Sequence, residues 1–421
     1  MLNYTLFLVK KIKEGCANSS GKNINMSVYK QKNPLYIFTL ILVFSLALSL
    51  QLLPSKSFAA PKSIGPKYFI AERLGQACTI DSQGKPRSQG SAKRAFDNLF
   101  RNHQTYVTKL RQSTSLVVNK DAYSANWKPI LFNSYAAAAA NDATLAKTIV
   151  DGLSQLATAN YYSNEKGLIS RKVALRVRCY ENGPNSPCPS HTPRFVARMY
   201  SNLLISAAVL QSFMTDQDRK TILPWLKTGY RKFVLPEVSS DQDGIYDFAN
   251  NGMAQLAYAA LAGDKALARR ELSTRKKQFN KAFQTSGYIR NNSYRGVRAL
   301  WYHTYGLDPA LSYALVAREW GQDFFKDAQL GPKLKAAVQK TALGVIDYTA
   351  FRSVGNRGNS FSTNEKDSKA HIHQYALNIP LISKKEFGFN LPLDSRYKKL
   401  RKLESYSQTS GLIAKCYYSG K

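Results

Sequence analysis

Residues 288–309 read YIRNNSYRGVRALWYHTYGLDP and combine basic, aromatic and helix-boundary residues. Asp308 followed by Pro309 is typical of a helix N-cap and first helical position. The pattern therefore predicts that one helix ends and another begins near Tyr305 and Gly306. A phenol at such a junction, beside basic side chains, could move a proton next to a bound anion.

Helical periodicity continues on both sides of this segment. Apolar residues recur at three- and four-residue spacing over residues 95–110, 127–140, 143–159, 193–210, 248–262, 264–283, 309–320 and 332–351. Thr215 to Asp218 has the pattern of a capping box, and Asp264 that of an N-cap. Strand-like alternation is confined to a few residues near 174–178 and 391–393. We expect an all-α fold, an (α/α) toroid or incomplete barrel of helical hairpins. The alternative, a helical solenoid, should show a fixed repeat period, and we find none.

The first 59 residues predict an N-terminal extension followed by an export signal. Lys30 and Lys32 precede an apolar run at residues 35–53, and small residues follow at Ala59 and Ala60. We expect the true start at Met26, cleavage near Ala59/Ala60, and one domain over residues 60–421. An uncleaved membrane anchor is the alternative, because the apolar run is nearly long enough to span a bilayer. The expected location is periplasmic or secreted, without stable membrane anchoring.

The net charge favours a polyanionic partner. Residues 1–59 carry seven Lys or Arg and one Glu, so the charge falls from +33 for the whole chain to +27 for the mature chain. A positive field of this size attracts polyanions, although it also serves solubility. Because export separates the protein from nucleic acid, we expect an anionic polysaccharide partner and a monomeric protein.

The cysteines of the mature chain form an even set, which favours disulfides in an oxidising compartment. Cys179 and Cys188 enclose a turn-rich loop, and Cys78 and Cys416 lie near the two ends of the domain. We expect these two pairs to bridge. No spacing of Cys or His favours a metal site, and no cofactor is expected.

The segment RGVRALWYHTYGL resembles the motif RGxRALxYHNYAL of the alginate lyase family, whose domain is an (α/α) barrel. The place of His303 in YHTY fits the site, although a satisfied structural histidine is an almost equally good interpretation. The resemblance implies that Tyr305 transfers protons and that Arg298 is the motif arginine. It also implies β-elimination from a uronate polymer without a metal. A base then removes the C5 proton, an acid protonates the leaving oxygen, and cations neutralise the carboxylate.

A second family element, NNHxYW, resembles residues 250–255, NNGMAQ. The resemblance assigns Asn251 to neutralisation of the carboxylate and Asn250 to substrate binding. The family histidine is Gly252 here, which leaves Tyr305 as the best single candidate for both base and acid.

Further candidates for substrate binding are Arg295, Tyr302, His371 and His373, and His191 is a weaker one. Each has a simpler interpretation. Tyr302 suits helix packing, Arg295 an ordinary surface cation, and Asn250 and Asn251 a helix cap. His371 and His373 alternate, so they could share one face as zinc ligands or replace the missing histidine; a plain loop is the simpler alternative.

The sequence therefore favours an exported lyase for an alginate- or polymannuronate-like polysaccharide. A glycoside hydrolase on the same scaffold is a second possibility. It would need two carboxylates across the cleft, for which Asp241, Asp243 and Asp247 are available. A non-catalytic protein that binds anionic glycans is the third.

Overall fold

A computed structural model describes residues 65–81, 84–112, 116–118, 127–163, 177–179, 191–236, 245–294, 298–347, 349–352, 378–391 and 412–420. All of them belong to one compact unit, Ser63–Lys421. The expected signal at residues 26–59 lies outside these residues. No helix within them has the length and apolar character needed to cross a bilayer.

The described residues are predominantly helical, as predicted. Their helices are α1 (Gln89–Gln112), α2 (Trp127–Ala140), α3 (Ala143–Thr158), α4 (His191–Val209), α5 (Asp216–Gly229), α6 (Ile245–Ala262), α7 (Lys265–Ala282), α8 (Ala299–Glu319), α9 (Leu330–Ile346), α10 (Thr349–Arg352), α11 (Ile379–Phe387) and α12 (Ala414–Tyr418). Short 3-10 turns cover Ala71–Arg73, Gln76–Cys78 and Gln211–Phe213, and a π turn, Tyr230–Val234, extends α5. Two short strands, β1 (Leu116–Val118) and β2 (Val177–Cys179), pair in parallel with Leu116 opposite Val177.

Side-chain caps fix several helix starts where the sequence predicted them. Thr215 and Asp218 form a complete capping box at α5, in which the Asp218 amide donates to the Thr215 hydroxyl at 3.1 Å. The carboxylates of Asp142 and Asp264 accept backbone N–H groups at the starts of α3 and α7. Each cap satisfies donors that a helix start leaves unpaired, so the local sequence sets these boundaries.

The helices form an inner and an outer series. Helices α2, α4, α6 and α8 pack each against the next, while α1, α3, α5, α7 and α9 lie beside them. The inner helices are enclosed: every residue is buried over positions 201–209 of α4 and 306–317 of α8. The outer helix α7 instead exposes several basic residues, such as Arg269 and Arg270. A helix that is apolar all round needs neighbours on every side, which explains the two-layer arrangement.

The expected helix boundary at Asp308 and Pro309 is wrong. Helix α8 runs unbroken from Ala299 to Glu319, and Pro309 lies inside it. Proline lacks an N–H and cannot donate to the carbonyl of Tyr305, which usually weakens a helix. Here Asp308 is only 2% exposed and the surrounding turns are fully buried, so packing outweighs the local signal. Tyr305 therefore lies in the second turn of a long inner helix.

A disulfide joins the two ends of the described domain. Cys78 and Cys416 are bonded, with a sequence separation of 338 residues, as expected. Gly75 N–H donates to the Cys416 carbonyl at 3.1 Å, which adds a backbone contact between the same segments. The second expected pair cannot be followed, because Cys188 and the side chain of Cys179 lie outside the described residues.

A buried ion pair links α6, α7 and α8. On α7, Arg275 Nε donates to Glu271 Oε1 at 2.8 Å and Nη2 donates to Oε2 at 3.1 Å. Tyr313 of α8 donates its hydroxyl to Glu271 Oε1 at 3.2 Å. Arg275 is fully buried and Glu271 is 3% exposed. Burial by itself lowers the pKa of Arg275, but the attraction of Glu271 outweighs it and leaves the pKa above its ordinary value.

The same pair explains why residue 252 on α6 is glycine. A Cβ atom at Gly252 would lie 2.5 Å from Glu271 Oε1, 2.8 Å from Arg275 Nε and 2.9 Å from a ring carbon of Tyr313. Real Cβ atoms do not approach other atoms so closely. The family motif has a histidine at this position. Here the salt bridge between Glu271 and Arg275 fills the space that its side chain would need.

We predict that Gly252→Ala destabilises the fold by about 1–3 kcal/mol, the usual cost of forcing extra atoms into a packed core. Chemical denaturation of the two proteins measures the difference. The control is Gly90→Ala on α1, where a Cβ would meet only the end of the Arg94 side chain at 3.5 Å. It should be neutral or slightly stabilising. Equal stability of Gly252→Ala and the parent protein would show that the contact at residue 252 is not tight.

We also predict that breaking the Cys78–Cys416 bond lowers the free energy of unfolding by about 2–5 kcal/mol. Thermal unfolding with and without a reductant measures the loss. A Cys78→Ser, Cys416→Ser double variant should unfold at the lower temperature in both conditions. If the reductant leaves the unfolding temperature of the parent protein unchanged, the presence of the Cys78–Cys416 bond is contradicted.

Candidate functional site

The first two turns of three inner helices bring basic side chains and Tyr305 together. Lys128 lies on α2, Arg198 on α4 and Tyr305 on α8, and each is close to the amino end of its helix. Arg198 contacts Tyr305, and its charge acts on Lys128. The amino ends of these inner helices therefore meet at one end of the domain. The two basic side chains favour an anion here.

The phenol of Tyr305 accepts a hydrogen bond from a guanidinium. Arg198 Nη2 lies 3.4 Å from Tyr305 Oη, and both side chains are partly exposed. A cationic donor stabilises a phenolate more than a neutral phenol. The arrangement is therefore suited to a tyrosine that gives up and takes back a proton.

Lys128, on α2, adds a second basic side chain within electrostatic range of Arg198. Burial, reinforced by the positive charge of Arg198, lowers the pKa of Lys128 to about 8. The amine is thus held in a place where its charged form is disfavoured. Shifted pKa values of this kind occur at functional sites and also in structural charge networks.

Arg298 and two aromatic rings form the adjoining surface of α8. The guanidinium of Arg298 lies 4.9 Å from the centre of the Trp301 ring, and Trp301 stacks on Tyr302 at 5.2 Å. Tyr302 in turn meets Tyr305 edge to face at 6.4 Å. All four side chains are partly exposed. The structure therefore brings the predicted Arg298, Tyr302 and Tyr305 onto one surface.

His303, predicted to lie in the site, instead lies in the core. It is fully buried, its Nε2–H donates to the Ala337 carbonyl at 3.0 Å, and its Nδ1 accepts from the Ser293 hydroxyl at 2.9 Å. Burial lowers the pKa of His303 to about 4, with a smaller contribution from Lys340. A neutral ring with both nitrogens engaged has no free atom for substrate. This placement argues against a direct chemical role.

The burial of His303 instead fixes the loop before α8. Ser293, its hydrogen-bond partner, belongs to that loop and also accepts the Ile289 N–H at 2.8 Å. The neighbouring Asn292 donates its side-chain amide to the Tyr302 carbonyl at 2.8 Å. Two buried contacts thus join the loop to the first turn of the helix that carries Tyr305.

Several predicted residues cannot be assigned a geometry. Arg295, His371 and His373 lie outside the described residues. Asn250 and Asn251 lie in the second turn of α6, next to Gly252, but their side chains are not described. The same holds for the side chain of His191, the first residue of α4.

In the part of the chain that the structure describes, no metal cluster competes with this site. Those residues contain no group of three or more His, Cys, Asp or Glu side chains that could hold a metal ion. A cavity of about 320 Å³ lies between α5 and α6, and Leu223, Leu226 and Leu261 are among its mainly apolar lining residues. Only one cation, Lys227, lines it, so it suits an anionic polymer less well than the surface around Tyr305.

Sequence reasoning missed Arg198 and Lys128. Arg198 is 107 residues before Tyr305, and no local motif marks it. One signal was available: both residues are basic side chains in helices with long apolar runs, Lys128 in α2 and Arg198 in α4. A basic side chain in a largely apolar helix requires an explanation, and binding of an anionic ligand would provide one.

Three comparisons with known proteins bear on this site. A family model described as alginate lyase matches residues 208–351, which include α6, α7, α8 and Tyr305. A search of curated proteins found no match.

Solved structures share the fold. Alginate lyase A1-III from Sphingomonas species A1 aligns with a TM-score of 0.52 and 14% identity, over 70% of this chain and 76% of that one. A tyrosine-to-phenylalanine variant of alginate lyase A1-III in complex with a tetrasaccharide aligns with a TM-score of 0.51 and 14% identity, over the same shares. A histidine-to-alanine variant with tetrasaccharide gives 0.51 and 15%, over 70% and 75%.

At this identity the structures establish the fold, and the family model supports the class of polysaccharide lyase. Over residues 208–351 this chain resembles the alginate lyase family, and about 70% of it aligns with the α/α toroid that alginate lyases have.

Proposed function

We propose that this protein cleaves a uronate-containing anionic polysaccharide by β-elimination, with Tyr305 as the group that moves the proton. The contact between Arg198 and Tyr305 is the observation that carries the proposal, because it pairs a proton-transferring phenol with a fixed cation. The family match over the same helix supports it.

The reaction can be followed through the residues of this chain. The phenolate of Tyr305 takes the C5 proton of the uronate, and the electron pair forms the C4–C5 double bond as the bond to the O4 oxygen breaks. The phenol then returns a proton to that oxygen, so the tyrosine ends in its starting state. Negative charge grows on the substrate carboxylate during the first step, and neighbouring cations stabilise it. Arg298 and the amino ends of the inner helices are the groups available for this.

The polymer class follows from the use of one residue for both proton transfers. Gly252 offers no second base, and its place is closed by Glu271 and Arg275. A single phenol can serve both atoms when the C5 proton and the glycosidic oxygen lie on the same face of the sugar. Mannuronate- and glucuronate-type units have this geometry, so we propose a preference for them over guluronate.

Export of the protein is also part of the proposal. The apolar run at residues 35–53 followed by small residues supports a cleaved signal. The Cys78–Cys416 bond supports an oxidising compartment, since disulfides persist there. Detection of a mature chain that begins near Ala60 would test it.

A direct assay separates a lyase from the other two functions. The mature protein is incubated with purified polymannuronate, polyguluronate and polyglucuronate, and the ultraviolet absorbance of unsaturated uronate is followed. A lyase produces this absorbance as the polymer shortens. A hydrolase shortens the polymer without it, and a binding protein does neither. Either of the last two outcomes would rule out the proposed reaction.

We predict that Tyr305→Phe lowers turnover by about 10²–10⁴-fold, the usual contribution of a general acid or base, while substrate binding stays nearly the same. Only the ionisable oxygen is lost. Arg298→Ala should weaken binding as well, because it removes a charge present in both ground and transition states. Steady-state kinetics and direct binding measurements distinguish the two patterns. Retention of most activity by Tyr305→Phe would exclude this residue as the base.

We predict that the apparent affinity for the polymer falls as ionic strength rises. The site attracts its substrate through partly exposed cations, and the range of this attraction shrinks to about 10 Å at 0.1 M salt. Binding titrations at low and high sodium chloride measure the effect, with a neutral polysaccharide as the reference ligand. An affinity that does not change with salt would indicate a neutral substrate.

A further inference from the structure

We propose that Arg198 is the positioning residue of Tyr305: its guanidinium holds the phenol oxygen and stabilises the phenolate from which the reaction starts. This inference rests on the proposed function for its purpose, although the coupling between the two side chains can be measured without substrate.

The need for such a residue follows from the chemistry. A free tyrosine has a pKa of about 10, so few molecules would carry a phenolate at neutral pH. The residue that the motif offers for this task, His303, is neutral, buried and bound to Ser293 and Ala337. A lasting charge must therefore come from another side chain near the phenol oxygen.

Arg198 meets this need by position and by chemistry. It reaches Tyr305 from α4, a different helix, with Nη2 3.4 Å from the phenol oxygen. A guanidinium does not lose its proton in a protein, so its charge is present at every working pH. Tyr302 also meets the Tyr305 ring, edge to face with the ring centres 6.4 Å apart.

The backbone of Arg198 is held in place within α4. The backbone carbonyl of Arg198 accepts a hydrogen bond from the side chain of Asn202, which is fully buried, at 2.7 Å. Helix α4 is itself enclosed by α2 and α6. The base of the side chain is therefore fixed, and its tip is directed at the partly exposed surface that carries Tyr305.

Lys128 strengthens the effect and adds a dependence on pH. Lys128, on α2, is close enough for the positive charge of Arg198 to act on it, and burial together with that charge lowers the pKa of Lys128 to about 8. Below that pH both Lys128 and Arg198 are charged. As pH rises through about 8, Lys128 loses its proton and the positive field around Arg198 and Tyr305 weakens.

The test follows the ionisation of Tyr305 itself. The mature protein is labelled with 13C at the tyrosine Cζ atom, and the Tyr305 signal is assigned as the one absent from Tyr305→Phe. Its titration is then compared in the parent protein, Arg198→Gln and Arg198→Lys. The matched control is Arg269→Gln, which removes an exposed arginine of the outer helix α7.

We expect Tyr305 in Arg198→Gln to ionise at a pH at least one unit higher than in the parent protein, equal to a tenfold loss of phenolate at a given pH below the transition. Arg198→Lys should restore part of the shift, and Arg269→Gln should leave it unchanged. In the lyase assay, Arg198→Gln should lower kcat by about tenfold or more and move the acidic limb of the pH profile upward, with a smaller change in KM.

A Tyr305 signal that titrates at the same pH in the parent protein and in both Arg198 variants would overturn the inference. Should Arg198→Gln fail to fold, the Arg198→Lys titration and Lys128→Met, which is expected to raise the ionisation pH by a smaller amount, decide it. A parent protein that cleaves none of the polymers would defeat the proposed function, whereas the titration would still show whether Arg198 controls Tyr305.

Discussion

The ion pair between Glu271 and Arg275 is the constraint on which the site geometry depends. Two charges removed from water are costly unless their geometry is nearly ideal and their remaining atoms are paired. Here Tyr313 donates to Glu271, and Gln278 accepts from Arg275 at 2.7 Å. Three helices must keep their relative positions for this network to hold. Two of them, α6 and α8, carry Asn250, Asn251 and Tyr305, so the packing around the ion pair sets the relative position of the two helix backbones that bear these predicted residues.

This network also explains how the chain differs from the motif that it resembles. The loss of the histidine at residue 252 looks, in the sequence, like the loss of one functional group. In the structure it follows from the packing, because Glu271 and Arg275 occupy the space beside α6 where a side chain would go. A side chain from another helix, Arg198 of α4, contacts the phenol of Tyr305.

The fold class and most helix starts could be predicted because they depend on local signals, such as the capping box at Thr215 and the cap at Asp264. The break expected at Pro309 was wrong because a local signal was outweighed by burial from distant helices. The placement of His303 and the role of Arg198 could not be read from spacing. His303 meets Ala337 and Arg198 meets Tyr305 only through tertiary packing, over 34 and 107 residues of sequence.

The contact between the two ends of the described domain, residues 71–78 and 414–420, keeps either segment from separating by itself. In an open stack of helices each terminal element has one neighbour and separates readily from the rest. Here the first turns and the last helix contact each other, and a Cβ at Gly75 or Gly420 would collide with backbone atoms of Ser419 or Arg73. If either segment unfolds locally, the same contacts between them must break. The Cys78–Cys416 bond opposes this in both cases. Within the described residues, these two segments therefore offer a protease no loose end.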